Sequence, residues 1–256
     1  MNHPTPEIDR ASLPDWLHWV DQCSSTNTWA IDQAASLRTG EVVFTRHQTA
    51  GRGQHGRIWY APAGVLTASF VLSVPAAQLS SLSLAVGLAV IYAVEDLSPD
   101  CSDRLRLKWP NDVMVDRRKL AGILCDTSSS RGSDQARAIV GIGLNRSVEF
   151  AEMQGTAIGD PISLHEISSV VPDEIALLGR LRHYLLETAS LSQAGGVKRL
   201  LPELRRRDAL AGCDVTIDLA NETLKGQVIG IDDQGRLQVR LADGLRSFTS
   251  GRVRWC

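Results

Sequence analysis

A glycine- and arginine-rich segment between two apolar stretches limits the fold of this chain more than any other feature. The segment 48–64, QTAGRGQHGRIWYAPAG, connects residues 41–45 (EVVFT) with residues 65–74 (VLTASFVLSV), and both flanking stretches have the apolar pattern of buried strands. Residues 51–56 match the pattern G-x-G-x-x-G, but a tryptophan, a proline and the second strand follow them. A Rossmann unit needs a helix at that point, and a Walker A loop needs Gly-Lys followed by Ser or Thr, so both are excluded.

The same segment has the composition of an anion-binding loop. Its glycines allow successive backbone N–H groups to point at one anion, and the guanidinium groups of Arg52 and Arg57 can form paired hydrogen bonds to a carboxylate or a phosphate. An arginine-rich surface hairpin would have the same composition. The loop alone therefore does not decide between a binding site and a solvated loop.

The remaining pattern predicts an α+β domain followed by a small β domain. Polar residues 24–27 predict a helix N-cap, and helices are predicted over 29–37, 79–97, 177–189 and 196–206. A strand is predicted over 16–20 and three strands over 105–128 and 136–147, the first two joined at residues 116–119 (DRRK). From Ala211, short β segments alternate with polar turns, which predicts a barrel of about 45 residues. We therefore place a catalytic domain at 1–208 and a β domain at 209–256.

Charge and cysteine content argue against several functional classes. A net charge of -2 gives no general basic field for nucleic acid, so any contact with a polyanion is local. The five cysteines lack Cys-x-x-Cys spacing, which argues against a disulfide framework or thiolate zinc site and favours a reducing cytoplasm. Residues 1–20 lack the regions of an export signal, and no apolar run of membrane-spanning length is expected. We expect a soluble cytoplasmic protein without a membrane partner or a protein-bound metal.

Two later segments place polar side chains or glycines on predicted strands. Residues 108–112 (KWPND), followed by 119–122 (KLAG), bring a cation, an amide and a carboxylate together at a strand end, where a turn would expose them to a ligand. An Asn-Asp turn capped by hydrogen bonds would explain the same residues. Residues 141–145 (GIGLN) contain strand glycines, which indicate close approach of a ligand or of another backbone, and Asn145 can also simply end the strand.

Together with Ser25-Thr26-Asn27, these segments resemble in content and order the biotin protein ligases, which attach biotin to a lysine of a carrier protein. The resemblance covers residues 19–145 and continues weakly to a C-terminal stretch, 211–256, that matches the family's SH3-like barrel. It implies an α+β fold in which a mixed β-sheet catalytic domain is flanked by helices and followed by that barrel. It also implies ATP and Mg²⁺ as cofactors, and as partner a biotin carboxyl carrier protein of acetyl-CoA carboxylase or a related carboxylase.

The resemblance also assigns roles to individual residues. For biotin binding it implies Ser25, Thr26, Asn27, Gln48, Gly51, Arg52, Gly53, Gln54 and Lys119. For ATP binding it implies Arg52, Arg57, Trp59, Asn111 and Asn145, and for catalysis Lys119, Arg52 and Asp112. The chemistry agrees, because hydroxyl and amide groups can both donate to and accept from the ureido ring of biotin. Asp112 would orient or deprotonate the carrier lysine, or it only fixes the turn after Lys108.

Two departures from the family bear on function. Many members have arginine where this chain has Gln54, which keeps hydrogen-bonding capacity but loses charge, so retention of the activated intermediate is expected to be weaker. Some members carry an N-terminal helix-turn-helix domain, but only about 20 residues precede the first motif in this sequence, so no DNA binding is expected. Two alternative functions stay open from sequence: a lipoate or octanoate enzyme of the same fold, and a noncatalytic biotin sensor. The sequence also does not decide between a monomer and a homodimer.

Overall fold

The main domain is built on a seven-stranded mixed sheet. The computed structural model describes residues 10–128, 134–150, 160–193 and 196–256. Strand order is β1-β2-β3-β7-β6-β5-β4, and only the β1–β2 pair is parallel. The strands are β1 Leu17–Trp19, β2 Val42–Thr45, β3 Val65–Pro75, β4 Arg106–Lys108, β5 Asp112–Val115, β6 Arg118–Ser128 and β7 Gln135–Asn145.

Helices cover the two faces of this sheet unequally. They are α1 Thr26–Asp32, α2 Leu82–Leu97, α3 Leu164–Ile167, α4 Glu174–Gln193 and α5 Val197–Arg206. The large core includes α2, α4 and one face of the sheet, to which Val42 and Phe44 contribute. Val43 points to the opposite face, because side chains alternate along a strand, and joins Ala30 of α1 in a small second cluster. That face is left with little apolar cover beyond α1.

The second face changes character along the central strands. On β3 the apolar Val71 shares its face with Ser69 and Thr67, which lie two and four residues before it. On the antiparallel neighbour β7, Ile139 shares its face with Gly141 and Gly143, which lie two and four residues after it. Residues with this spacing share one face, so the sheet presents first an apolar surface under α1 and then a surface of hydroxyl groups and glycines. The candidate site lies on this second surface.

A second, fully antiparallel sheet of five strands follows α5. Its strands are β8 Asp214–Asp218, β9 Thr223–Ile231, β10 Leu237–Leu241, β11 Gly244–Phe248 and β12 Arg252–Trp255, in the order β11-β10-β9-β8-β12. The indole Nε1 of Trp109 donates to the carbonyl of Gly235 at 3.1 Å, and Lys108 Nζ lies 4.2 Å from the ring centroid of Trp255. These contacts fix the small sheet against the KWPND segment. The domain boundary after residue 208 stays a prediction.

Two local expectations were wrong, each for a physical reason. Residues 105–115 form two strands, β4 and β5, since Pro110 has no N–H to donate and the chain turns there. Ser25 occupies the N-cap position of α1, as the polar residues 24–27 predict, although it makes no side-chain cap hydrogen bond. Residues 76–97 also have the length and apolar composition of a membrane span, contrary to expectation. With 67% of its most apolar window buried inside the protein, this segment is the core helix α2 and the 3₁₀ turn before it.

Candidate active site

A cavity of about 530 Å³ lies over the hydroxyl- and glycine-rich part of the sheet. Twelve of the predicted site residues line it: Ser25, Thr26, Asn27, Gln48, Arg52, Gly53, Gln54, Arg57, Trp59, Asn111, Lys119 and Asn145. The other two contact residues that line it: Gly51 accepts a 2.9 Å hydrogen bond from the backbone N–H of Trp59, and Asp112 pairs with Lys119. The structure thus brings segments from four parts of the sequence to one place.

Polar side chains at one end of the cavity form a connected network. Gln48 Oε1 accepts from the backbone N–H of Thr26 at 2.8 Å and lies 3.2 Å from its hydroxyl. Ser69 Oγ lies 2.7 Å from Thr26 Oγ1 and 2.5 Å from Asn27 Oδ1. Because a carbonyl oxygen only accepts, the single hydroxyl proton of Ser69 goes to Asn27. This arrangement leaves the amide Nε2 of Gln48 as a donor for a ligand.

The glycines of the central strands form a floor for Trp59. A β-carbon at Gly143 would lie 2.2 Å from Cε2 of the indole, and one at Gly122 would lie 2.9 Å from Cζ3, so any larger residue would displace the ring. Among the described residues, the buried Nε1 of Trp59 has no hydrogen-bond partner. An unpaired buried donor is costly, and an acceptor atom on a ligand would satisfy it.

The glycine-rich segment is a tight hairpin over the cavity. The backbone N–H of Gly53 donates to Arg57 at 2.7 Å, and Arg52 pairs with Ile58 as an antiparallel bridge. His55 and Gly56 at the tip both have positive φ, 56° and 73°. The tip is solvent-exposed, and the Ile58 side chain is 83% exposed. We call residues 51–59 the lid hairpin.

Positive charge gathers at the other end of the cavity. Lys119 Nζ lies 2.5 Å from Asp112 Oδ1, and the same ammonium lies 5.3 Å from the centre of the Trp59 ring. Burial lowers the pKa of Lys108; Asp112 opposes this, while the positive charges of Lys119, Arg252 and Arg57 add to it. Lys108 therefore lies near three other cations and one carboxylate, and this excess of positive charge suits an anionic ligand.

The two predicted asparagines hold the walls of the cavity. Asn111 Nδ2 donates to the carbonyl of Ile123 at 2.7 Å, and Asn145 Nδ2 donates to the carbonyls of Lys119 and Ile162 at 3.0 and 3.1 Å. Both side chains are buried. Their amide nitrogens therefore fix strand ends, and the predicted contact with ATP would fall to other atoms of these residues.

Family models match both parts of the chain. Residues 19–145 match the biotin/lipoate A/B protein ligase family, and residues 212–254 match the biotin protein ligase C-terminal domain. The biotin--[acetyl-CoA-carboxylase] ligase of Mycobacterium tuberculosis is 34% identical over 249 residues, which are 91% of this chain and 90% of that protein. This chain belongs to the biotin protein ligase family.

Two further relatives of this ligase agree. The bifunctional ligase/repressor BirA of Salmonella typhimurium is 30% identical over 90% of this chain and 71% of its own length. The biotin protein ligase of Aquifex aeolicus, solved with biotin and ATP, has a TM-score of 0.79 at 25% identity, covering 94% of this chain and 99% of that one. These relatives confirm the α+β ligase fold and the interpretation as a biotin protein ligase over the lipoate, octanoate and sensor alternatives.

Three residues of this ligase that the sequence motifs did not include also lie at the site. Ser69 joins the polar network, Asp126 pairs with the lid, and Arg252 of β12 lines the cavity from the second sheet. Ser69 could have been found from the sequence, because Thr67 and Ser69 are polar at alternate positions of an otherwise apolar strand and so share one face. No sequence pattern indicates Arg252, because its position at the cavity depends on how the two sheets pack against each other.

Proposed function

We propose that this cavity forms biotinyl-5'-AMP from biotin and ATP and transfers the biotinyl group to a lysine of a biotin carboxyl carrier protein. The observation that carries the proposal is the joining, in one cavity, of a polar network around Thr26 and Gln48 with the cations Lys119, Arg57 and Arg252. The first end suits a ureido ring, which offers one acceptor and two donors. The second suits a carboxylate and a phosphate that must approach each other.

Activation of a carboxylate by ATP is electrostatically unfavourable until cations surround it. Two unit charges 4 Å apart repel by about 1 kcal/mol in water and by about 4 kcal/mol at an effective dielectric constant of about 20. Lys119 and Arg57 would offset this repulsion while the carboxylate oxygen attacks the α-phosphorus and pyrophosphate leaves. Because they are held in place before the reaction, little reorganisation is needed.

Mg²⁺ would enter this site with ATP, bound mainly through the phosphates. Among residues 10–128, 134–150, 160–193 and 196–256, no group of three His, Cys, Asp or Glu side chains is placed to hold a metal. The carboxylate of Asp112 is already paired with Lys119. Magnesium is commonly bound through substrate phosphates with few protein ligands, and there it would neutralise the polyphosphate.

Transfer requires a neutral amine at the bound anhydride. The carrier lysine has an unperturbed pKa of about 10.4, so about one in 10³ is neutral near pH 7. Asp112 would orient this amine and accept its proton while the nitrogen attacks the biotinyl carbonyl carbon, the bond from that carbon to the phosphate oxygen breaks, and AMP leaves. The lid hairpin would exclude water from that anhydride in the meantime.

One labelling experiment tests the proposal. The full chain is incubated with biotin, Mg-ATP and a biotin carboxyl carrier domain, and the carrier is expected to gain the mass of one biotinyl group at one lysine. Parallel incubations replace biotin with lipoate or octanoate, or the carrier lysine with arginine, and should give no labelling. An unlabelled carrier, with biotin and ATP binding intact, would refute the proposed reaction.

Arg252→Gln is expected to weaken ATP use without affecting transfer. Arg252 adds a charge at the phosphate end of the cavity, so the KM for ATP in pyrophosphate exchange should rise about tenfold, the loss of one charge-assisted contact. Transfer from supplied biotinyl-AMP should be unchanged, because pyrophosphate has already left. Arg254→Gln is the matched control, since its guanidinium binds Asp218 at 2.9 Å. Equal effects of both variants would contradict the assignment.

Gln54→Arg is expected to slow the escape of biotinyl-AMP. Gln54 lines the cavity from the lid hairpin, and arginine there would add a charge-assisted hydrogen bond to the intermediate, which predicts a dissociation rate lower by about tenfold. The rate is measured by chasing bound biotinyl-AMP with excess biotin. His55→Arg adds the same charge at the exposed tip and should change little. An unchanged rate in Gln54→Arg would show that charge at this position does not govern retention.

A further inference from the structure

Asp126 of β6 joins the lid hairpin to the polar end of the cavity. Its Oδ2 lies 3.1 Å from one terminal nitrogen of Arg52, and its Oδ1 lies 3.4 Å from the other. Oδ2 also accepts a 3.0 Å hydrogen bond from Asn27 Nδ2. Asp126 thus contacts both a lid residue and a buried residue of α1.

These contacts complete a continuous chain of hydrogen bonds. It runs from Gln48 through Thr26, Ser69 and Asn27 to Asp126 and Arg52, with no donor–acceptor distance above 3.4 Å. A ligand atom bound by Gln48 and the guanidinium of the lid are therefore ends of one network. Linked hydrogen bonds in a partly buried site strengthen one another.

The bonding of Asn27 limits what this residue can do. Its two amide protons go to the carbonyl of Leu124, at 3.1 Å, and to Asp126, while its oxygen accepts from Ser69. The side chain is 2% exposed, and a β-carbon at Gly141 would lie 2.4 Å from its oxygen. An amide nitrogen has only two protons, so Asn27 has none left for a ligand.

We propose that Asp126 is a positioning residue that holds Arg52, and with it the lid hairpin, against the polar end of the cavity through Asn27. A biotin bound at Thr26 and Gln48 then favours the closed lid, and the closed lid favours bound biotin, as reciprocal coupling requires. Arg52 keeps further N–H groups for a ligand after pairing with Asp126. The importance of this coupling for retention of biotinyl-AMP rests on the proposed function.

Removing the charge of Asp126 distinguishes a positioning role from a purely electrostatic one, because the two roles predict opposite changes in ligand affinity. Asp126 is a carboxylate close to a site for anions, so its charge by itself opposes binding of ATP and of biotinyl-AMP. If the carboxylate only contributed to the field of the cavity, Asp126→Asn would bind these ligands more tightly. If it holds the lid, the same substitution binds them more weakly. Asparagine keeps the acceptor for Asn27 and removes the ion pair with Arg52, so it isolates the contact in question.

The first measurement needs no ligand. Trypsin is expected to cleave after Arg57 when the lid hairpin opens, and cleavage of Asp126→Asn should be about two- to fivefold faster than cleavage of the wild type, as for loss of a partly exposed ion pair. Asp116→Asn is the control, because Asp116 pairs with Arg104 on a remote hairpin at a similar distance, 3.2 Å. Equal cleavage of Asp126→Asn and wild type would overturn the proposal, whether or not the chain biotinylates a carrier.

The second measurement is a double-mutant cycle on biotinyl-AMP supplied ready-made. Asp126→Asn and Arg52→Gln are each expected to raise its dissociation rate, and the double variant should be no worse than Arg52→Gln alone, since both remove one interaction. Additive effects, or tighter binding by Asp126→Asn, would overturn the proposal. Failure of carrier labelling in the wild type, with these results intact, would refute only the proposed reaction.

Discussion

Lys119→Ala is expected to lower the rate of biotinyl-AMP formation by about 10²- to 10³-fold, the loss typical of one preorganised group that stabilises developing charge. Lys119 lies between Asp112 and the Trp59 ring and lines the cavity where carboxylate and phosphate would meet. The rate is measured as pyrophosphate release with saturating biotin and ATP. The KM for biotin should also rise, because the same ammonium would bind the carboxylate.

The fold should survive this substitution. The Lys119 side chain is 28% exposed, so its removal leaves a space that water can enter rather than an apolar cavity. Unfolding by urea should give a free energy within about 1 kcal/mol of the wild type. Lys225→Ala, on the exposed face of β9, controls for the loss of a lysine. Unchanged adenylate formation in Lys119→Ala would show that another residue contacts the biotin carboxylate.

The elements of the fold were readable because their signals are local. The alternation in β3, the apolar run of α2 and the turn before β8 each lie within one short stretch, and the structure has elements there within a few residues. The split between β4 and β5 was missed because the apolar residues on both sides of Pro110 read as one strand. The proline was the available signal, since it cannot donate to a ladder.

The sequence predicted which residues belong to the site, but not the contacts between them. The sequence motifs named twelve residues that line the cavity, yet they did not indicate which of them bond to each other. Asp126 contacts Asn27 across 99 positions of sequence, and Lys119 pairs with Asp112 across a hairpin whose register contains a bulge. A shift of one residue in that register would turn Lys119 to the other face, so its pairing could not be inferred from spacing.

Asp112→Asn is expected to slow transfer from supplied biotinyl-AMP by about 10²-fold at pH 7, at the lower end of the range for general base catalysis. Asparagine has nearly the same shape as aspartate and can preserve the turn. A purely structural role of Asp112 therefore predicts almost no change in the transfer rate. The expected effect on adenylate formation is smaller, within a few fold, because the substitution leaves the Lys119 ammonium in place. Measuring the two half-reactions separately distinguishes these roles.

The pH profile of this variant is the sharper test. Without a base at position 112, only the neutral form of the carrier lysine reacts, and its fraction rises about tenfold per pH unit up to its pKa of about 10.4. Transfer by Asp112→Asn should therefore rise steeply from pH 7 to pH 9 and approach the wild-type rate, whose profile should be flatter because Asp112 takes the proton. Parallel profiles would assign Asp112 to orientation of Lys119 alone, through the 2.5 Å ion pair between them.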